Sequence, residues 1–129
     1  MKLEVSRWDG PIARTDELDD LTPDGVAAAL ARLDGRQCTE LSLSDEDPYR
    51  YFNVGGGPQL FLLTGEDEDE QILQLSDPNA GDNPVGLVTG GQLATYPRSD
   101  LVQRDAVLAV LNRFIAGAGY DPALPWRIE

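Results

Sequence analysis

The chain has 129 residues, 41% of them hydrophobic, which suits one domain built around one hydrophobic core. It carries 10 basic and 23 acidic residues, a net charge of −13, and it contains no histidine. This charge argues against direct binding to phosphate backbones or to anionic membrane surfaces, and it favours a basic protein as the partner.

Three features predict where the protein works. No apolar run reaches the roughly 18 residues that a membrane span needs, and the first ten residues contain no apolar signal core. Cys38 is the only cysteine, so an internal disulfide cannot form. We therefore expect a cytoplasmic protein without membrane contact. The oligomeric state stays open, with a monomer as the expectation.

The negative charge is concentrated in the middle of the chain. Residues 1–50 contain 6 basic and 12 acidic residues, whereas residues 51–97 contain 7 acidic residues and no basic one. Residues 98–129 contain four of each and are neutral. The central strands should therefore carry an unusually negative surface.

The first third of the chain predicts a strand, a loop and a helix. Leu3–Val5 can open a strand, and the acidic stretch that ends with Asp16–Asp20 reads as an exposed loop. Thr22 is placed to cap a helix that begins at Pro23. The apolar residues of this helix fall on one face and are Val26, Ala29, Leu30 and Leu33.

The middle of the chain predicts successive strands joined by short turns. These strands are Cys38–Ser44, Tyr49–Val54, Gln59–Leu63, Gln71–Leu75 and Gln92–Tyr96. Residues 76–86 read as an irregular loop rich in turn formers. Short connections cannot join parallel strands, so an antiparallel meander follows.

A second helix closes the pattern. Ser99 is placed to cap it, and Gly117 and Gly119 are placed to end it. Its apolar residues recur at spacings of three and four and are Val107, Val110, Leu111 and Phe114. We predict a single α+β domain over residues 1–129: an antiparallel β-meander sheet with two amphipathic helices packed on one face.

Gly55–Gly57 could form either a phosphate cradle or a turn. A phosphate loop places its glycines before a helix and adds a lysine, but here Pro58 and a strand follow. Proline also removes a backbone N–H that a cradle would use. We interpret the triplet as a hairpin turn.

The run Glu66–Glu70 lies between two apolar strands and predicts a protruding hairpin tip, and Asp45–Asp47 occupies another turn between strands. A solvated loop is the commonest role of such a run. A calcium loop fits poorly, because the sixth-position glycine is missing. A docking surface for a basic partner gains support if both turns lie at one edge of the sheet. Our candidate partner-binding residues are Glu66, Asp67, Glu68, Asp69, Glu70, Asp45, Glu46 and Asp47.

The residues give little support to catalysis. Without histidine, the usual nucleophile–histidine arrangements and a histidine-bound zinc are impossible. Cys38 lies in a leucine-alternating strand, where a packing role is expected. Among 23 acidic residues, a pair of carboxylates somewhere carries almost no information. We predict no enzymatic activity, no catalytic residue, no cofactor and no metal.

From about residue 22 onward the chain resembles a bacterial polymorphic-toxin immunity protein family, the one numbered first among such families. The segments that carry the resemblance are Val54–Gly57, Ser76–Pro78, Ala106–Phe114, and Gly119–Pro122 with Trp126. We expect Phe114 and Trp126 to pack in the core.

The resemblance implies an immunity protein, encoded beside a secreted toxin, that binds and occludes the toxin's active site. Such toxins are often nucleic-acid deaminases or nucleases, so the expected partner is a cognate toxin domain with a basic active-site groove. Two alternatives stay open: a nucleic-acid mimic that inhibits DNA-binding proteins, and a small carboxylate-dependent hydrolase. The hydrolase would need an enclosed carboxylate with a raised pKa.

Overall fold

The computed structural model describes all 129 residues and contains ten strands and two helices. The helices are α1 (Pro23–Ala31) and α2 (Arg104–Ile115). The strands are β1 (Lys2–Asp9), β2 (Ile12–Leu18), β3 (Cys38–Glu46), β4 (Tyr49–Gly56), β5 (Leu60–Glu66), β6 (Ile72–Leu75), β7 (Pro84–Thr89), β8 (Gln92–Pro97), β9 (Val102–Gln103) and β10 (Trp126–Ile128). Neither helix is long and apolar enough to cross a lipid bilayer.

One antiparallel sheet organises the chain, in the order β10-β6-β5-β4-β3-β1-β2, and β9 pairs with β5 beyond the end of β6. The meander β3 to β6 is the predicted one. The structure adds β1, which pairs with β3 on one side and with β2 on the other. A separate two-stranded sheet consists of β7 and β8.

Both helices contribute to one core on one face of the sheet. Alternate residues of the strands, such as Leu41, Leu43 and Val54, are fully buried against apolar residues of α1 and α2. Phe114 is buried as predicted, and Trp126 is half-buried against the same cluster. The predicted α+β class, with a meander and two helices, is confirmed.

The glycine triplet forms a turn, as predicted, and its surroundings explain the choice of residue. Gly56 and Gly57 have φ values of +99° and +96°, which L side chains rarely adopt. A Cβ on Gly56 would meet the side chain of Leu87, and a Cβ on Gly57 would meet the carbonyl oxygen of Leu33. The positive φ values and the close packing therefore account for glycine at these positions.

Two predictions about local structure are wrong. Residues 16–18 belong to β2 instead of a loop. The strand pairs with β1 through a turn at Gly10, whose φ is +62°. Because most of its side chains are exposed, its sequence lacks the alternation of polar and apolar residues that predicts a strand. Ser99 does not cap α2. It lies in a 3-10 turn, and its hydroxyl donates a hydrogen bond to Asp82.

The helix α2 begins four residues later than predicted because of tertiary pairing. Leu101 and Val102 are buried, and Val102 pairs with Phe61 as part of β9. Gln103, the residue before α2, adopts an extended conformation, and its side chain makes no capping hydrogen bond. The strands β7 and β10 were also absent from the prediction, since they lie in segments that read as loop and tail.

Candidate functional site

The structure brings the two predicted acidic turns to the same end of the sheet. Glu46 lies opposite Tyr49 where β3 turns into β4, and Glu66 lies opposite Tyr51 on the other side of β4. The turn after Glu66 therefore projects from the edge that carries the Asp45–Asp47 turn. We call the eight candidate residues in these two turns the acidic end.

The Asp67–Gln71 turn is held by its own backbone and by one carboxylate. The Asp67 side chain accepts hydrogen bonds from the N–H groups of Asp69 and Gln71, both at 2.9 Å. The N–H of Asp67 also donates to the carbonyl of Gln71 at 3.1 Å. The carboxylate of Asp67 thus shapes the turn, and Glu68, Asp69 and Glu70 are left exposed to solvent.

Asp45 is likewise engaged inside the molecule. Its carboxylate lies 3.5 Å from an Arg50 guanidinium nitrogen, and its side chain is 28% exposed. The guanidinium of Arg50 in turn lies over the ring of Phe114. Asp45 therefore anchors a basic side chain that covers the end of the core.

The other carboxylates of the acidic end form no ion pair with a basic side chain. Each ion pair in the structure uses a carboxylate of Asp9, Asp16, Asp45, Asp77 or Asp100. No Lys or Arg nitrogen approaches within 4.0 Å of the seven remaining acidic-end carboxylates, namely Glu46, Asp47, Glu66, Asp67, Glu68, Asp69 and Glu70. None of these seven carboxylates therefore forms an ion pair.

Sequence reasoning missed two further carboxylates at this end. The register of β1, β2 and β3 sets Glu4 opposite Glu17 on one side and Ser42 on the other. Glu4 shares a surface depression with Glu46 and Glu66, and Glu17 shares another with the Asp45–Asp47 turn. The missing signal was the pairing of β1 with β3, which no local pattern indicates.

A cleft of about 200 Å³ opens beside the Asp67–Gln71 turn. The turn forms one wall, and Ala118 to Tyr120 at the end of α2 form another. The aromatic rings of Phe52 and Phe114 line its floor together with Arg50. The cleft joins negative charge to aromatic surface at the acidic end.

Three groups have displaced pKa values. Hydrogen bonds from Arg32 and then from Arg7 lower the pKa of Asp16. Backbone N–H groups, that of Arg36 first, lower the pKa of Asp34. Burial, followed by the charge of Glu66, raises the pKa of Tyr51. A carboxylic general acid needs its pKa raised, so Asp16 and Asp34 are displaced in the wrong direction for a hydrolase.

Comparison with known proteins decides the family. The model of the family described as Immunity protein Imm1 matches residues 14–128, which is most of the chain. The protein belongs to the Imm1 family. Neither a curated protein nor a solved structure is similar enough to count as a match.

Membership of the Imm1 family supports a role in toxin immunity and implies that the protein binds a cognate toxin. It also suggests an inhibitor without catalytic activity. The match begins at residue 14, inside β2, so it includes part of the segment that the resemblance had left unplaced. No group of three or more His, Cys, Asp or Glu side chains is arranged to hold a metal ion.

Proposed function

We propose that this protein acts in the cytoplasm as the immunity protein of a secreted bacterial toxin that attacks nucleic acid, either a deaminase or a nuclease. It binds the toxin through the acidic end and occludes the active site, and it catalyses no reaction. The observation that carries this proposal is the set of seven carboxylates in two adjacent turns with no basic side chain within 4.0 Å.

Electrostatics explain why such a surface suits this partner. An enzyme that binds DNA or RNA needs a basic substrate groove, because phosphates supply most of the binding free energy. Unpaired carboxylates on a protruding end are attracted to the same groove. Steering of this kind can raise association rates to about 10⁸–10⁹ M⁻¹s⁻¹ at low salt.

Affinity requires more than steering. A stable inhibitory contact buries about 1,600 Å² in total, far more than two turns can supply. A few desolvated anchors usually carry most of the binding energy, while charges at the rim set the association rate. The acidic end therefore serves to bring the toxin to a larger surface.

The decisive experiment uses the toxin domain encoded next to this protein's gene. We expect a one-to-one complex by calorimetry and loss of the domain's activity on DNA or RNA when this protein is added. Failure to form a complex would overturn the proposal. A complex that leaves the toxin active would overturn occlusion of the active site.

The same material separates immunity from nucleic-acid mimicry, which the net charge of −13 also favours. An immunity protein selects one partner, whereas a mimic binds many basic proteins. We expect no comparable affinity for unrelated basic proteins such as histones under the salt conditions in which the toxin domain binds. Similar affinity for both would favour the mimic.

A further inference from the structure

The sheet has a second face, and the helices do not cover it. Side chains that alternate with the buried ones point away from α1 and α2 on β1, β3, β4 and β5. The β7–β8 hairpin packs on this face at the end away from the acidic end, because Thr89 lies against Gly55. Between that hairpin and the acidic end, the face is open.

The open part forms a depression of about 440 Å³. Its lining consists of hydroxyl, amide, phenol and carboxylate groups, with no basic side chain, and the residues are Glu4, Ser42, Ser44, Glu46, Tyr49, Tyr51, Asn53 and Glu66. We call these eight residues the open face. Lys2, opposite Ser44 in the register, lies at its margin.

The two tyrosines give the open face a rigid centre. Tyr49 and Tyr51 both project from β4, with ring centroids 5.6 Å apart, and Tyr49 is 58% exposed. A tyrosine supplies a large contact area with little conformational entropy to lose, and Ser and Asn supply adaptable hydrogen bonds. This combination is typical of surfaces that bind other proteins.

The charges on this face specify the chemistry of its occupant. Glu46 lies opposite Tyr49 and Glu66 lies opposite Tyr51, and Glu4 lines the same depression. Glu46 and Glu66 also belong to the acidic end. An arginine guanidinium can stack on a tyrosine ring and pair with a carboxylate at the same time. A surface that presents arginines is therefore complementary to the open face in charge, and its guanidinium groups can stack on the tyrosine rings.

We propose that the open face is the main docking surface for the toxin, and that it receives arginine side chains from the rim of the toxin's basic groove between Tyr49, Tyr51 and the three glutamates. This inference rests on the proposed function. In this proposal, contacts with the open face supply most of the affinity for the toxin, and the charges of the protruding turns set the association rate.

Two substitutions test this division of roles. Tyr49→Ala removes the most exposed ring without changing charge, and Ile12→Ala is its control, because Ile12 is 55% exposed at the opposite end of the molecule. Ser42→Arg places a positive side chain in the lining of the depression, and Gln103→Arg adds the same charge at an exposed position in β9.

With the toxin domain as the probe in surface plasmon resonance, we expect each open-face variant to raise Kd by about tenfold or more, mainly through faster dissociation. The two controls should change Kd by less than about twofold, and thermal denaturation should show that all four variants are folded. Amide shifts of the parent protein on titration should be largest along β3 and β4.

The outcomes distinguish the two proposals. Normal toxin binding by both Tyr49→Ala and Ser42→Arg, with amide shifts confined to the turns, overturns the open face as docking surface and leaves the proposed function intact. Absence of binding by the parent protein overturns the proposed function, and this inference falls with it. Equal losses in the open-face variants and their controls would also contradict a specific docking surface.

Discussion

The guanidinium carbon of Arg50 lies 4.6 Å from the centroid of the Phe114 ring. This contact joins the hairpin of the acidic end to the last turn of α2, and Asp45 holds the guanidinium from the other side at 3.5 Å. The side chain of Arg50 is only 16% exposed, and its Nε is buried without a hydrogen-bond partner. Arg50 therefore acts mainly through packing and charge over an aromatic ring.

We predict that Arg50→Ala lowers the free energy of unfolding by about 1–2 kcal/mol, because it removes a cation–π contact and the packing of a long aliphatic stem. Arg50→Met should recover much of this loss, since it restores packing and removes the unpartnered donor. Urea denaturation measures both, and Arg36→Ala, at an exposed arginine without an ion pair, is the control. Equal stability of Arg50→Ala and the control would show that the contact contributes nothing.

We predict that neutral pairs in either acidic turn slow association with the toxin domain. Glu46→Gln with Asp47→Asn, and Glu68→Gln with Asp69→Asn, each remove two carboxylates that form no ion pair. Each pair should reduce the association rate by about threefold to tenfold at low salt and weaken its salt dependence. The Glu68 and Asp69 pair should leave dissociation nearly unchanged, whereas the pair that includes Glu46, which also lines the open face, should speed it.

The matched control for these pairs is Asp9→Asn with Asp105→Asn, which makes the same change in net charge at the opposite end of the sheet and of α2. Stopped-flow measurements across a salt series give the rates. An equal slowing by the control pair would mean that total charge steers the toxin, without any contribution from its location.

Much of the fold could be predicted because local patterns and tertiary structure agree there. The alternation of Cys38–Ser44 and the spacing of Val107, Val110 and Leu111 each report one buried face, and the structure buries that face. Thr22 caps α1 as predicted, by accepting a hydrogen bond from the N–H of Gly25 at 3.1 Å. Elements that bury one regular face were therefore predictable.

The elements that were missed lack a local pattern, for different reasons. Trp126–Ile128 is a strand only because Leu73–Leu75 offers a free edge. Ile12–Leu18 shows no alternation because its strand lies at the edge of the sheet and exposes most of its side chains. Neither segment carries a pattern that a short sequence window could detect.

The sequence alone predicted the negative charge of the acidic end, but it did not predict how the side chains there are arranged. In GEDEDE, no local signal separates Asp67, which accepts backbone hydrogen bonds, from Glu68, which does not. The pairing of Asp45 with Arg50 could have been found, since the two residues lie symmetrically about the Asp47–Pro48 turn. The open face required the order of the strands, which places Glu4 beside Ser42 across 38 positions of sequence.

Asp16 gives a prediction about pH. Its carboxylate accepts hydrogen bonds from Arg32 at 2.8 Å and from Arg7 at 3.0 Å, so it joins α1 to the β1–β2 hairpin. These bonds lower its pKa in the folded protein below 3.8. The stability that Asp16 supplies is therefore present above about pH 3.8 and is lost as the pH falls through the lowered value.

We predict that Asp16→Asn is less stable than the parent near neutral pH, and that the difference shrinks at pH values below 3.8 as the parent's carboxyl group becomes protonated. Urea denaturation at a series of pH values measures this difference. Asp9→Asn, which removes an exposed ion pair with Arg14, is the control. Parallel stability curves for the parent and Asp16→Asn would contradict the lowered pKa.

Gly57 in the glycine turn can be compared with two glycines elsewhere in the chain. The comparison distinguishes the cost of a positive φ from the cost of a steric clash. Gly119 has open space around its Cα and no positive φ, and Gly81 has open space but a φ of +81°. Gly57 combines a φ of +96° with a backbone carbonyl, that of Leu33, in the position that a Cβ would take. We expect Gly119→Ala to be close to neutral, Gly81→Ala to cost about 1–2 kcal/mol, and Gly57→Ala to cost about 3 kcal/mol or more. Urea denaturation gives the three free energies. A Gly57→Ala variant no less stable than Gly81→Ala would mean that the loop after α1 yields readily, and that close packing does not explain the glycine there.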